Sequence, residues 1–335
     1  MDGWALAAGA TPGSLEVVGE SAAGAPYDGV LGSGSAVVIS TGAPLPDGAD
    51  AVVAREDAAE RAGHLKISEA IRSGAFVRTR GDDLRMGDVV LRHGIRIAPH
   101  HLAVAAGTGH AAISCVRRPR VAVVVSGREL VAVGDELGPG QIWNISSVSL
   151  PALITDAGGD VVFVRAISDD PAQTLAALEE ALEGADIVIT SGGVSIGDHD
   201  QLRPALARLG VAELFRGVRI RPGHPTWFGR RGRTRVLALP GNPVAAVVCF
   251  WVFGRTLLGR DDLWTALPLA ADYITPTRRT DVIRCALGPS GLVPSAHQAS
   301  HQVTSLADAT HLAVVPEQSV ALRKGAHLQA VSLTG

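Results

Sequence analysis

The chain has 335 residues, of which 47% are hydrophobic and 19% charged, a composition typical of a globular protein with a sizeable core. The formal net charge is −3 without any run of like charges, which argues against nucleic acid or an anionic membrane as a partner. The three cysteines lack zinc-ligand spacing, no apolar stretch is long enough to span a bilayer and the first residues do not resemble a signal peptide, so we expect a cytoplasmic protein.

Residues 1–75 have the pattern of a β-rich front domain. Strands are predicted at 35–40 and 50–54, separated by turns rich in Gly, Pro and Asp. The loop between them begins at Thr41 and carries more turn-forming residues than a hairpin needs, so it is either a binding loop or a rigid surface loop.

Residues 76–118 predict a connector, part of an elongated segment, with one short helix at 100–107. The adjacent His100 and His101 fall on this helix. Since neither has a partner at ligand spacing, we expect them on the helix surface rather than at a metal.

Residues 119–262 alternate between apolar strands and amphipathic helices. Strands are predicted at 121–125, 160–166, 186–190 and 236–239, and helices at 146–157, 172–182, 201–209 and 244–258. The solid apolar run at 121–125 is typical of a strand buried on both faces, and repeated βαβ units predict a doubly wound parallel sheet. Residues 263–335 predict a small C-terminal β domain, with strands at 282–287, 312–315 and 328–331. The predicted fold is therefore multidomain α/β.

Chemically active residues follow each of the four strands predicted in this α/β part. Because the carboxyl ends of parallel strands share one edge of the sheet, we expect a ligand site there. The loops supply Glu129, Asp169 or Asp170, the Ser191-Gly192-Gly193-Val194-Ser195 run with Asp198 and Asp200, and Pro240-Gly241-Asn242-Pro243. Arg221 and His224 lie in a loop that is able to reach the same edge. Each acid alone is explained as a helix cap or surface residue, and the Gly pair as a simple turn, but their convergence favours a site.

Such a site suits a phosphorylated, anionic ligand. Backbone N–H groups at helix N-termini bind oxyanions, carboxylates bind Mg²⁺, and Arg forms a bidentate clamp. The chain has neither a Walker P-loop nor a Gly-x-Gly-x-x-Gly motif, which disfavours a standard NTPase or dinucleotide-binding protein. A hydrolase with Ser191 as nucleophile would lack the Gly-x-Ser-x-Gly elbow.

The motifs occur in the order and rough spacing found in one known family, so the chain resembles the molybdopterin molybdenumtransferases of the MoeA and gephyrin-E type. The matching runs are Met1-Asp2-Gly3-Trp4-Ala5, Thr41-Gly42-Ala43-Pro44, Arg80-Gly81-Asp82-Asp83, Ser126-Gly127-Arg128-Glu129-Leu130, Ser191-Gly192-Gly193-Val194-Ser195, Arg221-Pro222-Gly223-His224-Pro225, Pro240-Gly241-Asn242-Pro243, Arg279-Thr280, Ser300-His301-Gln302 and Ser305-Leu306.

This resemblance implies an enzyme of molybdenum cofactor biosynthesis that inserts molybdate into adenylylated molybdopterin, with Mg²⁺, and releases AMP. It implies an elongated homodimer whose active site lies between the sheet domain of one subunit and the β domain of the other. The implied catalytic residues are Asp2, Glu129, Asp169, Asp200 and Arg221, with Asp169 and Asp200 as metal ligands. The implied substrate-binding residues are Thr41, Asp83, Ser191, Gly192, Gly193, Ser195, His224, Pro240, Gly241, Asn242, Pro243 and Ser300.

The chain departs from the family pattern in three respects. In the family several dozen residues normally precede the Met-Asp-Gly motif with which this sequence starts, so we expect either a wrongly assigned start or a truncated segment. Arg128 replaces an acid, and Arg221 and His224 stand where lysines are usual. Lys66 and Lys324 are the only lysines among the 30 Lys and Arg residues, so Arg221 fits a general preference for arginine, which does not explain the histidine at position 224. The main alternatives are a non-catalytic molybdopterin carrier or scaffold and an unrelated nucleotide-binding α/β protein.

Overall fold

The structure, a computed structural model, describes residues 1–168, 170–194, 201–260, 264–275, 278–319 and 321–333. The chain divides into two compact units, Met1–Ser114 and Cys115–Gly335. Within the described ranges, none of the helices has the length and apolar character needed to cross a membrane.

A six-stranded sheet forms the framework of the first unit. Its strands are β1 Gly3–Leu6, β2 Gly13–Ser21, β3 Ser35–Ile39, β4 Ala51–Ala54, β5 Ala59–Arg61 and β6 His64–Ile67, arranged in the order β4-β1-β3-β2-β6-β5. Trp4, Leu6, Leu15 and Leu65 form the core on one face of this sheet. The strands predicted at 35–40 and 50–54 are confirmed, and the predicted helix is α1, Pro99–Gly107. His100 and His101 lie on that helix with ring centroids 4.1 Å apart.

The second unit contains two larger sheets and the remaining helices. Its strands are β7 Arg120–Ser126, β8 Leu130–Val131, β9 Ile142–Trp143, β10 Asp160–Ile167, β11 Ile187–Ser191, β12 Ala212–Arg216, β13 Ile220–Arg221, β14 Trp227–Arg231, β15 Thr234–Leu239, β16 Thr265–Pro268, β17 Tyr273–Ile274, β18 Thr280–Gly288, β19 Gly291–Pro294, β20 His311–Val315, β21 Ala321–Leu322 and β22 His327–Ser332. Its helices are α2 Ser146–Asp156, α3 Pro171–Gly184, α4 Leu202–Arg208, α5 Pro243–Cys249 and α6 Arg255–Leu257, with a π-helical turn at Phe250–Gly254.

The first of these sheets has the order β10-β7-β11-β15-β14-β12, and its first four strands are parallel. Val121, Val123 and Val125 of β7 pack with α2 on one face, whereas Ala122 and Val124 pack with α3 and α4 on the other. Burial on both faces explains the solid apolar run and confirms the predicted doubly wound parallel sheet.

Two strands that the sequence did not predict extend this sheet. β14 pairs antiparallel with β15, and β12 pairs antiparallel with β14. All five residues of β12 are exposed, so this strand lacks the apolar pattern by which the other strands were found. The helix predicted at 244–258 is present as α5, the π turn and α6.

The second sheet of this unit contains β13, β18, β20, β22 and β16 in that order, with β19 beside β18. Ile283, Cys285, Ala313 and Leu328 form its core. The strands predicted at 282–287, 312–315 and 328–331 are confirmed as β18, β20 and β22. The domain boundaries predicted near 75, 118 and 262 stay predictions.

Candidate functional site

The strand registers of the α/β part align the carboxyl ends of its parallel strands. Ser126 of β7 lies opposite Ile167 of β10, and Ser191 of β11 lies between Val125 and Leu239. The loops after β7, β10, β11 and β15 therefore leave the sheet at the same edge. The loop that contains His224 reaches this edge too, because Trp227 at the start of β14 pairs with Ala238 near the end of β15.

The glycine-rich loops at this edge pack directly on one another. Gly192 has a φ of +87°, and a Cβ atom added to it would lie 2.2 Å from the carbonyl oxygen of Ser126. A Cβ on Gly241 would lie 3.4 Å from the Cα of Gly192. Glycine is therefore required at position 192, because another residue would both strain the backbone and collide with the end of β7.

Ser191 and the start of α2 lie together beneath these loops. The buried Ser191 hydroxyl donates to Ser146 Oγ at 3.1 Å and lies 3.2 Å from the carbonyl oxygen of Pro240. Asn144 accepts a hydrogen bond from the Ser147 amide at 3.0 Å and so caps the helix. Ser191 therefore contributes to holding the β11 and β15 loops against α2.

The acidic residues at this edge that the structure describes make different contacts. Glu129 is exposed, and its carboxylate oxygens lie 2.9 and 3.0 Å from the position that a Cβ on Gly127 would occupy. Asp170 accepts a hydrogen bond from the Gln173 amide at 2.8 Å, as expected of a helix cap followed by proline. Asp169, Ser195, Asp198 and Asp200 lie outside the described residues, so their predicted roles stay predictions.

The loop between β13 and β14 has its own internal support. His224 Nδ1 donates to the carbonyl oxygen of Val218 at 2.8 Å. The buried Thr226 hydroxyl donates to the carbonyl oxygen of Gly223 at 2.7 Å and lies 3.4 Å from Cys249 Sγ on α5. Burial raises the pKa of the Cys249 thiol to about 12, so this group remains protonated and serves packing.

Arg221 at the start of this loop forms an ion pair with a residue that the sequence analysis did not single out. Its Nη1 lies 3.3 Å from Asp281 Oδ2, and the Asp281 side chain is 2% exposed. Tyr273 also donates its hydroxyl to Asp281 Oδ2, at 3.2 Å. Nothing in the sequence indicated that Asp281 is buried, because it stands among polar residues at the start of a strand.

Ser300 of the C-terminal β part lies at the start of α5. The exposed Asn242 donates from Nδ2 to Ser300 Oγ at 3.0 Å and forms no side-chain cap with its own helix. The fully buried Arg284 holds the chain around Ser300, donating to Ser305 Oγ at 3.1 Å and to the His297 carbonyl oxygen at 3.0 Å. Pro240, Gly241, Asn242 and Ser300 are thus brought together within one chain.

The predicted residues of the first unit are exposed. Asp2 Oδ1 accepts hydrogen bonds from the Thr41 amide at 2.7 Å and from the Thr41 hydroxyl at 2.9 Å. These bonds lower the pKa of Asp2, that from the Thr41 amide most strongly. Asp83 lies beside an open cleft of about 810 Å³ between Leu84 and α1.

Two family models match the chain: the MoeA N-terminal region (domain I and II) over residues 1–109 and a probable molybdopterin binding domain over residues 129–260. The molybdopterin molybdenumtransferase 2 of Mycobacterium tuberculosis is 36% identical, and the match covers 100% of this chain and 88% of that protein. This chain belongs to the molybdopterin molybdenumtransferase family. The molybdopterin molybdenumtransferase of Bacillus subtilis is 33% identical, and the match covers 91% of this chain and 74% of that protein.

The overall structure agrees with membership of this family. A crystal structure of a molybdopterin biosynthesis MoeA protein from Pyrococcus horikoshii matches with a TM-score of 0.84 at 30% sequence identity, covering 100% of this chain and 87% of that one. The family and the multidomain α/β fold predicted from the motifs are therefore confirmed. The sequence analysis did not identify Asn144, Ser146, Tyr273, Asp281 or Arg284. Asn144 had a signal in the sequence, since Asn before a predicted helix is a typical cap.

Proposed function

We propose that this protein inserts molybdate into adenylylated molybdopterin and releases AMP, as a transferase of molybdenum cofactor biosynthesis. The observation that carries the proposal is the similarity to molybdopterin molybdenumtransferases along the whole chain, at 36% identity over 359 aligned positions. Because this similarity includes both units and the C-terminal β part, it favours the complete activity over a carrier derived from one domain.

The geometry at the carboxyl edge supports an anionic substrate. Helices α2 and α3 begin at this edge, and the N-terminal end of a helix favours phosphate through its dipole and through first-turn amides that have no partner within the helix. Arg221 adds a positive charge on the loop that reaches this edge. In this proposal the helix N-termini and Arg221 bind the phosphates of the substrate, while the side chain of Glu129 orients a water molecule beside them.

The donor chemistry of the acidic loops fits Mg²⁺. Glu129, Asp169 and Asp200 offer oxygen atoms alone, and Mg²⁺ prefers a few carboxylates together with water molecules. We assign Asp169 and Asp200 as its ligands, where the bound ion would neutralise charge on the phosphate oxygens during release of AMP. Among the described residues, no group of three or more His, Cys, Asp or Glu side chains forms a metal site.

The proposal includes a homodimer, with Asp2, Thr41 and Asp83 contributing to substrate binding. The Asp2–Thr41 pair is well suited to this task, since Thr41 keeps the Asp2 carboxylate charged and fixed. Sedimentation equilibrium of the purified protein tests the dimer directly, and a monomer at micromolar concentration would contradict it.

The decisive experiment measures AMP release from adenylylated molybdopterin by the purified protein, with and without molybdate and Mg²⁺. We expect release that requires both, and its loss in Asp200→Ala. Asp160→Ala is the matched control, because this exposed acid begins β10 at the opposite edge of the sheet. Tight binding of the substrate without release would instead identify a carrier, and full turnover by Asp200→Ala would refute the site assignment.

A further inference from the structure

Arg221 lies where a strand of the C-terminal sheet meets the loop that leads to the α/β sheet. It ends β13, whose two residues pair in parallel with Thr280 and Asp281 of β18, and it begins the loop that leads to the carboxyl edge of the α/β sheet. The Thr280 amide donates to the carbonyl oxygen of Arg219 at 3.1 Å, which continues this pairing. The backbone of Arg221 is therefore fixed by the C-terminal β part, not by the α/β sheet.

The Asp281 carboxylate that faces Arg221 is almost completely removed from water. Its side chain is 2% exposed, whereas that of Arg221 is 32% exposed. Burial raises the pKa of Asp281, while the positive charge of Arg221 and hydrogen bonds from Tyr273 and Thr275 act in the opposite direction. Burying a carboxylate costs free energy unless partners such as these compensate its charge. We therefore expect this group of side chains to have a role in addition to packing.

Tyr273 is suited to hold the carboxylate in place. Its hydroxyl donates to the same Oδ2 atom that faces Arg221, and burial together with the negative charge of Asp281 raises the pKa of the tyrosine. The hydroxyl consequently stays protonated and remains a donor. The Asp281 oxygen is thus located between a fixed donor on one side and the guanidinium on the other.

The guanidinium keeps donors available for a ligand. Arg carries five N–H groups in a planar fork, and among the described residues Asp281 is the one partner that receives a hydrogen bond from it, through Nη1. The partial exposure of the side chain leaves the other donors accessible. An arginine that is hydrogen-bonded on one edge of its guanidinium has little rotational freedom left. Binding an oxyanion with the other edge therefore costs less conformational entropy.

We propose that Asp281, supported by Tyr273, is a positioning residue that orients Arg221 toward the anionic substrate. The role rests on the function proposed above. In this arrangement the C-terminal β part sets the orientation of the Arg221 guanidinium at the edge of the α/β sheet. In this proposal Asp281 touches no substrate and affects its binding through the orientation of Arg221.

The test is a double-mutant cycle on kcat/KM for molybdate-dependent AMP release, with Arg221→Ala, Asp281→Asn and the double variant. Asp281→Asn retains the shape and one acceptor oxygen, and we expect about a tenfold loss of kcat/KM, since displacement of an oriented group is costly. In the Arg221→Ala background the same change should have almost no further effect. Tyr273→Phe should give a smaller loss of the same kind, again dependent on Arg221.

Asp272→Asn is the matched control, because Asp272 is an acid of the same β part whose exposed side chain pairs with Arg323 at 2.8 Å. Its kcat/KM should equal that of the wild type. An equal loss from Asp281→Asn in both backgrounds would mean that Asp281 serves stability alone, and would overturn the positioning role while the proposed function stands. Absence of AMP release by the wild type would overturn the proposed function, and the positioning role with it.

Discussion

Replacement of Gly192 by alanine should damage the centre of the candidate site. The new Cβ would lie 2.2 Å from the Ser126 carbonyl oxygen and 3.2 Å from its carbonyl carbon, and both atoms belong to the backbone at the end of β7. No side chain can move aside to relieve this contact. The loop after β11 must shift away from β7, and Gly241, which lies against Gly192, must shift with it.

Two costs combine in this variant. An alanine held at a φ of +87° has a strain of about 1–2 kcal/mol relative to its preferred conformations. Overpacking against a fixed backbone adds about 1–3 kcal/mol. We therefore expect Gly192→Ala to lower the local free energy of opening by about 3.5 kcal/mol, the sum of mid-range strain and overpacking values.

Hydrogen exchange of the backbone amides in β7 and β11 measures this free energy where the damage occurs. Gly184→Ala is the control, since it lies at the end of α3, no atom lies within 4 Å of the added Cβ, and its φ is not in the left-handed region. Gly184→Ala should leave the hydrogen-exchange protection of these amides unchanged or raise it slightly, because alanine is a better helix former than glycine. Equal protection of β11 in both variants would refute the reasoning about the packed turns.

Two further predictions concern stability. Asp170→Ala removes the cap that the Gln173 amide uses at 2.8 Å, and should lower stability by about 1 kcal/mol in urea denaturation, whereas Asp170→Ser should restore most of the loss. The ion pair with Arg117, together with the Arg120 amide, lowers the pKa of Asp186 from 3.8 to about 2. Because the pKa is lower in the folded state, this group stabilises the protein above pH 3.8 and loses that effect as the pH falls toward about 2. The pair is partly exposed, so solvent screening reduces its contribution to about 1 kcal/mol, and the stability difference between wild type and Asp186→Asn should vanish across this pH range.

The sequence predicted those parts of the fold in which local pattern and burial agree. The strand at 121–125 is apolar because helices cover both of its faces, and Asp170-Pro171 is a local helix-start signal that the structure contains as expected. β12 was missed because its residues are exposed, and β13 because two residues are too short to form a pattern. The alignment of the strand ends followed from topology alone, which is why a candidate site could be predicted at this edge before the contacts of its residues were known.

The partners of the site residues were beyond the sequence, because they come from distant parts of the chain. Arg221 and Asp281 are separated by 60 positions, and Asn242 and Ser300 by 58. The Asn242–Ser300 pair joins the edge of the α/β sheet to the C-terminal β part, and the buried Arg284 fixes the segment that carries Ser300. The Arg221–Asp281 pair lies within the C-terminal sheet and fixes the start of the loop that leads to the same edge. Substitutions of Asp281 or of Arg284 should therefore alter substrate handling at the sheet edge although neither side chain is placed against the substrate, and for Asp281 this is the behaviour that the double-mutant cycle measures.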